Sequence, residues 1–237
     1  MVHLTAGRNE LFPVPVFRFD LAEAAALKSD LIEAVNTARA EDRGVRVTNR
    51  GGWHSPKDLF DREVPAFKGL KAALLTAYDQ VRAEVHGLSP GPAPVGFSGW
   101  ANYNPPGSFN VSHEHLGSRG HWSGVYYAAL DMGSGGDLVL EDQIYKYFGF
   151  QGGTRRIWRT AAGAALGPRQ EVRVPPVEGR AIMFPSSLPH RVEPFQGGQA
   201  RLSFAFNLTD PALSFEIGGP EPARGLRGRL ARWMGRT

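Results

Sequence analysis

The sequence predicts a mainly β fold preceded by two helices, and three observations carry that reading. Apolar residues recur with helical period over 21–42 and again over 66–87. From Trp100 onward the pattern changes to short runs rich in β-branched and aromatic residues, separated by turns bearing Gly and Pro. No internal repeat and no flexible linker divides the 237 residues, so these runs share one core, an all-β sandwich or barrel.

The elements follow in order. "LFPVPVFRFDL" alternates apolar and polar residues, and Pro13 and Pro15 confine it to a sheet edge because proline cannot donate to a ladder. "LAEAAALKSDLIEAVNTARAED" is made of strong helix formers. "VTNRGGWHSPKDLF" is polar and Gly-rich and reads as a loop. "AFKGLKAALLTAYDQVRAEVHG" is the second helix, and "LSPGPAPVGFSG" punctuates the change to β. The strands expected after it are "GWANYN", "FNVSHEH", "WSGVYYAAL", "GDLVLED", "QEVRVPP", "RAIMFP", "HRVEPF" and "RLSFAFNLT", with no helix between Pro105 and Leu208. Residues 1–210 are thus expected to form one domain, helical over 18–90 and β over 95–210, followed by a basic tail at 211–237.

Composition narrows the chemistry. The absence of cysteine excludes a disulfide framework, thiolate metal sites, iron–sulfur clusters and a cysteine nucleophile, and it fits a reducing cytoplasm. The start lacks a basic segment followed by an apolar run, and no stretch approaches 18 apolar residues, so neither a signal peptide nor a membrane span is expected. Net charge is +4, with Arg224, Arg227, Arg229, Arg232 and Arg236 gathered near the end without an acid among them. This reads as a solvated, partly helical tail. No helix-turn-helix, zinc-finger or RNA-binding motif accompanies it, and no nucleic-acid partner is expected.

The histidines are the candidate chemistry. His113 and His115 are two residues apart in a run that reads as a strand, so their side chains project to one face about 6–7 Å apart at the backbone. Two imidazoles so placed can close on one metal, and His190, where a turn enters a strand, is the candidate third ligand. Imidazole suits iron, zinc, copper and nickel, so ligand type alone does not name the ion. His3, His54, His86 and His121 are lone histidines and read as structural.

Eleven residues after His190 comes Arg201, then Ser203. Leu202, Phe204 and Phe206 alternate with Arg201, Ser203 and Ala205, which puts Arg201 and Ser203 on the face opposite the large apolar groups. An arginine turned toward a β-core needs an anion. Two sources are open: a carboxylate ligand clamped by the guanidinium fork and the hydroxyl, or an internal salt bridge to Glu141 or Asp142.

The order His-x-(Asp), a distant second His, then Arg-x-Ser about ten residues on resembles the Fe(II)/2-oxoglutarate-dependent oxygenases. "ANYNPPGSFNVSHEH" is similar to the Asn-x-Tyr-x-x-Gly lead-in of the AlkB-like and prolyl-4-hydroxylase-like branches, with Asn104 where those often carry Tyr. "RGGWHS", "SGVYY", "GGDLVLED", "IMFPSSLPHRVEPF" and "RLSFAFN" resemble a bacterial subgroup of 2-oxoglutarate oxygenases, and the likeness runs from about Leu11 to Leu208. The resemblance implies a double-stranded β-helix, a jelly-roll or cupin-like barrel. It implies Fe(II) on His113 and His190, the distal carboxylate of 2-oxoglutarate on Arg201 and Ser203, and contacts to cosubstrate or substrate from Asn102, Asn104 or Tyr127. Dioxygen and a small-molecule or peptide substrate would be the partners, and hydroxylation of a C–H bond the reaction.

One position departs from the family pattern. The usual triad has two histidines and one carboxylate, and His115 stands where the acid belongs. Either His115 completes a three-histidine site, or a carboxylate comes from elsewhere, such as Glu114, Glu141 or Asp142. Two other readings use the same histidines. A cupin-type metalloprotein fits "GSFNVSHEH" and "GRAIMFPSSLPH" but lacks its glutamate, since Arg119 or Gly120 stands there, and it leaves Arg201 without a role. A zinc hydrolase or lyase would use three histidines and an open position for water.

Overall fold

The computed structural model describes residues 14–91, 94–115, 120–142 and 171–213. Two helices come first. α1 spans Ala24–Glu41 and buries Leu31, Val35 and Ala38, one helical stripe. α2 spans Pro65–His86, opening on a proline whose missing N–H would have had no helical partner, and closing on Gly87 in the left-handed region at φ 65°. Its stripe of Phe67, Leu70, Leu74, Tyr78 and Val81 is buried.

The strands are β1 (Phe17–Asp20), β2 (Asn49–Arg50), β3 (Trp53–His54), β4 (Gly96–Asn104), β5 (Phe109–His113), β6 (Trp122–Ala129), β7 (Leu138–Glu141), β8 (Glu171–Val174), β9 (Arg180–Pro185), β10 (His190–Val192) and β11 (Arg201–Thr209). They form two antiparallel sheets, ordered β1-β9-β6-β11-β4-β3 and β2-β5-β10-β7-β8. This is a double-stranded β-helix. β1 lies at a sheet edge as expected, and the eight expected β runs match β4 to β11.

Alternation along β11 decides what each side of the larger sheet does. Leu202, Phe204, Phe206 and Leu208 join the main apolar cluster with Leu31, Phe67, Leu70 and Tyr78 of the helices. Arg201, Ser203 and Ala205 point the other way, between the sheets, where a smaller cluster of Tyr127, Leu138, Leu140, Ile182, Phe184 and Leu188 lies. Burying one large apolar side chain contributes roughly 1.5–3 kcal/mol. The helix layer therefore anchors the outer face, and the inner face is left to polar groups. A buried pair, Arg82 Nε donating to Asp210 Oδ2 at 2.7 Å, ties α2 to the end of β11.

Two expectations are corrected. The segment expected as a loop contains β2 and β3, then a 3-10 turn at Leu59–Asp61. Gly51, at φ 80°, makes the reversal between the two strands. β2 pairs with β5 and β3 with β4, so this segment bridges the two sheets. Strands of two residues are too short to write a period-two pattern into the sequence. The second correction concerns His115, which lies two residues beyond the end of β5 rather than within a regular strand. The expected basic tail lies outside the described residues after Leu213. Among the described residues, no helix is long and apolar enough to cross a membrane.

Candidate metal centre

β5 and β10 put two histidines face to face. His190 pairs directly with His113 in the antiparallel register, and their ring centroids are 4.4 Å apart. A shift in register between His190 and Val192 gives β5 one extra residue, a bulge beside the site. His115 follows, its backbone N–H donating to Ser186 O at 2.9 Å, and its ring lies 5.0 Å from His113 and 5.1 Å from His190. One ring nitrogen from each of the three lies within 4.8 Å of the other two, a spacing that one ion can span. His113 Nδ1–H donates to Val111 O at 2.8 Å, and His190 Nδ1–H donates to Leu188 O at 2.9 Å. A carbonyl only accepts, so both rings present the lone pair of Nε2.

The electrostatics keep His115 and His190 neutral. Burial, then the neighbouring His190 and His113, push His115 down to about 3. Burial, then His113, push His190 down to about 4. Three converging imidazoles in a partly desolvated pocket are a donor set suited to a divalent transition metal. Among the described residues no carboxylate joins them. Glu141 is occupied by Arg191 at 2.9 Å and by the Ser112 hydroxyl at 2.8 Å. Glu114 is exposed.

The same pocket, about 550 Å³ with its open mouth included, is lined by Arg201, Ser203, Asn102 and Tyr127 as well as the three histidines. Arg201 is among the largest fully buried side chains of the described residues, at 2% exposure. Its Nη1 donates to Gly136 O at 2.6 Å, while Nε has no partner. Burial pushes its pKa down, and Tyr127 opposes that shift. The salt bridge to Glu141 or Asp142 is not formed. A guanidinium cannot shed its proton at ordinary pH, so a buried one with a single carbonyl partner is under-compensated by several kcal/mol. It fits an anion.

Antiparallel pairing sets the cradle around it. Ser203 pairs with Asn102 on one side and with Tyr127 on the other, while Arg201 pairs with Asn104. Asn104 does not line the pocket. It is buried at 1% exposure with neither amide atom partnered, and a Cβ at Gly52 would come 2.4 Å from its Oδ1. Trp100, Thr48 and Asn110 line the pocket without having been read from the sequence. Thr48 and Asn110 reach it through the β2–β5 pairing, a contact between segments about sixty residues apart that no local pattern signals.

The remaining histidines have local partners. His54 Nδ1 is 2.6 Å from Ser55 O, and its ring stacks on Trp100. His86 Nε2 accepts from Trp122 Nε1–H at 3.0 Å, and His121 Nδ1 accepts the Asp210 backbone N–H at 3.0 Å. His3 lies outside the described residues.

Residues 98–207, from β4 into β11, match the family model described as "Putative 2OG-Fe(II) oxygenase". This β-core is similar to the 2OG-Fe(II) oxygenase domains. Its cofactors are those of the superfamily, Fe(II) and 2-oxoglutarate. The chain shares its fold with a prolyl-4-hydroxylase from Pseudomonas putida, at 21% identity and TM-score 0.53, over 81% of this chain and 91% of that one. It is also similar to HygX from Streptomyces hygroscopicus, solved with nickel, 2-oxoglutarate and hygromycin B, at 15% identity and TM-score 0.56, over 84% of each chain. A third likeness is to SnoN, an epimerase of nogalamycin biosynthesis, at 11% identity and TM-score 0.56, over 88% of this chain and 86% of that one. No curated protein sequence matches the chain.

Proposed function

We propose that this oxygenase hydroxylates a C–H bond of a peptide, amino acid or small molecule, using a three-histidine iron site. In this reading His113, His115 and His190 hold Fe(II) through Nε2. Arg201 and Ser203 hold the distal carboxylate of 2-oxoglutarate, with Tyr127 and Asn102 beside them. The observation that carries the reading is Arg201, a buried guanidinium with an orphaned Nε in the same pocket as three converging imidazoles. A water-activating zinc site needs the histidines but gives that cation nothing to do.

Bound Fe(II) supplies the oxidising power, drawing on dioxygen and the decarboxylation of 2-oxoglutarate. The chain's own residues do the rest. The Val111 and Leu188 carbonyls fix two ring tautomers before any metal arrives, so two lone pairs are pre-aimed. Burial keeps the His115 and His190 rings uncharged, so protons do not compete for them near neutral pH. Arg201 and Ser203 orient the cosubstrate at the far end of the pocket, which limits the ways its other end can approach the histidines. Phe184 and Leu138 keep water from the pocket wall. Replacing the usual carboxylate by His115 leaves the site one charge more positive than the common triad.

The test is succinate release from 2-oxoglutarate by the iron-loaded protein, first alone and then with panels of peptides, amino acids and small molecules. Substrate-stimulated succinate with a product heavier by one oxygen supports the reading. Cosubstrate binding without any succinate, or zinc-dependent hydrolysis instead, overturns it.

A further inference from the structure

His115 differs from its two partners in what holds its ring. His113 and His190 each donate Nδ1–H to a backbone carbonyl, which fixes the proton. His115 Nδ1 faces the side-chain amide of Asn207, with Nδ2 3.5 Å away. An amide presents either its NH2 or its oxygen to the same atom, by a half-turn about χ2.

Asn207 is buried at 5% exposure on the pocket-facing side of β11, and it does not stand alone. Its Oδ1 accepts from Ser123 Oγ at 2.8 Å, and Ser123 Oγ lies 2.8 Å from Ser186 Oγ. Ser123 and Ser186 are 2% and 1% exposed. Each hydroxyl both donates and accepts, so the chain can run in either direction. With Nδ2 turned to the ring, Ser186 donates to Ser123, Ser123 donates to Asn207, and Asn207 donates to Nδ1. The imidazole proton then sits on Nε2, where it blocks a metal. With the amide reversed, Nδ1–H donates to Oδ1, Asn207 donates to Ser123, and Ser123 donates to Ser186. Nε2 then offers its lone pair. Each link from His115 to Ser186 is satisfied either way.

We propose that the Asn207–Ser123–Ser186 chain is the positioning device of the metal centre, and that metal capture reverses it. The reversal moves no net charge: one proton leaves Nε2 to solvent and one returns to Nδ1. The inference rests on the reading of His115 as a ligand. It makes His115 the switchable member of the trio, whereas His113 and His190 are preset.

The experiment is a Co(II) titration of the metal-free protein, followed by visible absorption, in wild type, Asn207→Asp, Asn207→Leu, His115→Ala and the double variant His115→Ala/Asn207→Leu. A carboxylate only accepts, so Asn207→Asp locks Nδ1–H and raises affinity about tenfold, at the low end of what outer-shell partners of metal-bound histidines contribute. Asn207→Leu removes the acceptor and lowers affinity about 10–100-fold. That loss vanishes in the His115→Ala background, where there is no ring to hold. Nitrogen-15 spectra of the histidine rings add an independent readout, with one ring moving from the Nε2–H to the Nδ1–H form on metal addition. If His115→Ala weakens cobalt binding but both single Asn207 variants bind as wild type, the chain has no such role and the inference falls alone. If His115→Ala itself binds cobalt as wild type, the three-histidine reading falls, and this inference with it. Should the leucine variant fail to fold, Asn207→Asp and the ring spectra still decide.

Discussion

His113 and His190 stand directly opposite each other on antiparallel neighbours β5 and β10, with ring centroids 4.4 Å apart. Ladder hydrogen bonds on both strands fix that distance, so the pair exists before any ion binds. His115 joins from just beyond the end of β5, held by Ser186 O. In the proposed site His113 and His190 are the members preset by the ladder, and the predictions divide accordingly.

In the proposed site, His190→Ala removes a preset ligand. Metal affinity is expected to fall by at least about a hundredfold, since losing an outer partner alone costs 10–100-fold. Metal content of the purified variant, by elemental analysis, checks this, and near-normal iron would contradict the assignment.

His115→Asp restores the common two-histidine, one-carboxylate set and should still retain iron, whereas His115→Ala should lose most of it. Iron content of the two variants side by side separates a ligand from a pocket-lining residue. Retention in the alanine form would refute a three-histidine centre.

Arg201→Ala should raise the dissociation constant for 2-oxoglutarate about a hundredfold or more, because breaking one buried charged contact costs roughly 3–5 kcal/mol and each 1.4 kcal/mol is about tenfold. Lysine at this position should recover part of the loss, keeping the charge without the fork. Calorimetric titration of the metal-loaded variants is the measurement. Metal binding should hardly change, and unchanged cosubstrate affinity would remove the clamp.

Gly136→Ala probes the same clamp from behind. Gly136 has φ 74°, and a Cβ there would come 2.7 Å from Arg201 Nη1, which bonds to Gly136's own carbonyl. The substitution strains the backbone by about 1 kcal/mol and shifts the guanidinium. A roughly tenfold weaker 2-oxoglutarate affinity with metal binding intact is expected. A stability loss alone would show that the arginine holds its place without the glycine.

Metal-free protein should lose stability as pH falls from about 6.5 toward 4. In that window the unfolded chain protonates His115 and His190, while the folded pocket keeps them neutral, with pKa values near 3 and 4. The unfolded state then binds more protons, so stability rises with pH, by up to about 1.4 kcal/mol per unit for each ring. Chemical denaturation at several pH values tests the sign. Flattening of the slope in His190→Ala assigns its share.

Much of this was legible along the chain. Strand period set Leu202, Phe204 and Phe206 against Arg201 and Ser203, and the helices pack on the first set while the pocket takes the second. Alternation is a local property of extended backbone, so it survives into the sequence. Asn207 continues the Arg201–Ser203–Ala205 row by one more step, and the same rule would have found it. Its coupling to Ser123 and Ser186 was not legible, because those contacts join residues 84 and 63 positions apart.

The sequence by itself determined the two helices, the order of the β runs, the candidate histidine trio and the turning of Arg201 toward the core. All of these follow from periodicity and from residue types that cannot be buried without a partner. Only the tertiary structure decided that β2 and β3 bridge the sheets, that Glu141 belongs to Arg191, and that Asn104 stays out of the pocket while Asn102 enters it. These depend on which strands become neighbours and in what register. Strand pairing joins residues far apart in the chain, and the free energy that selects one register is spread over the whole core rather than written at any one position.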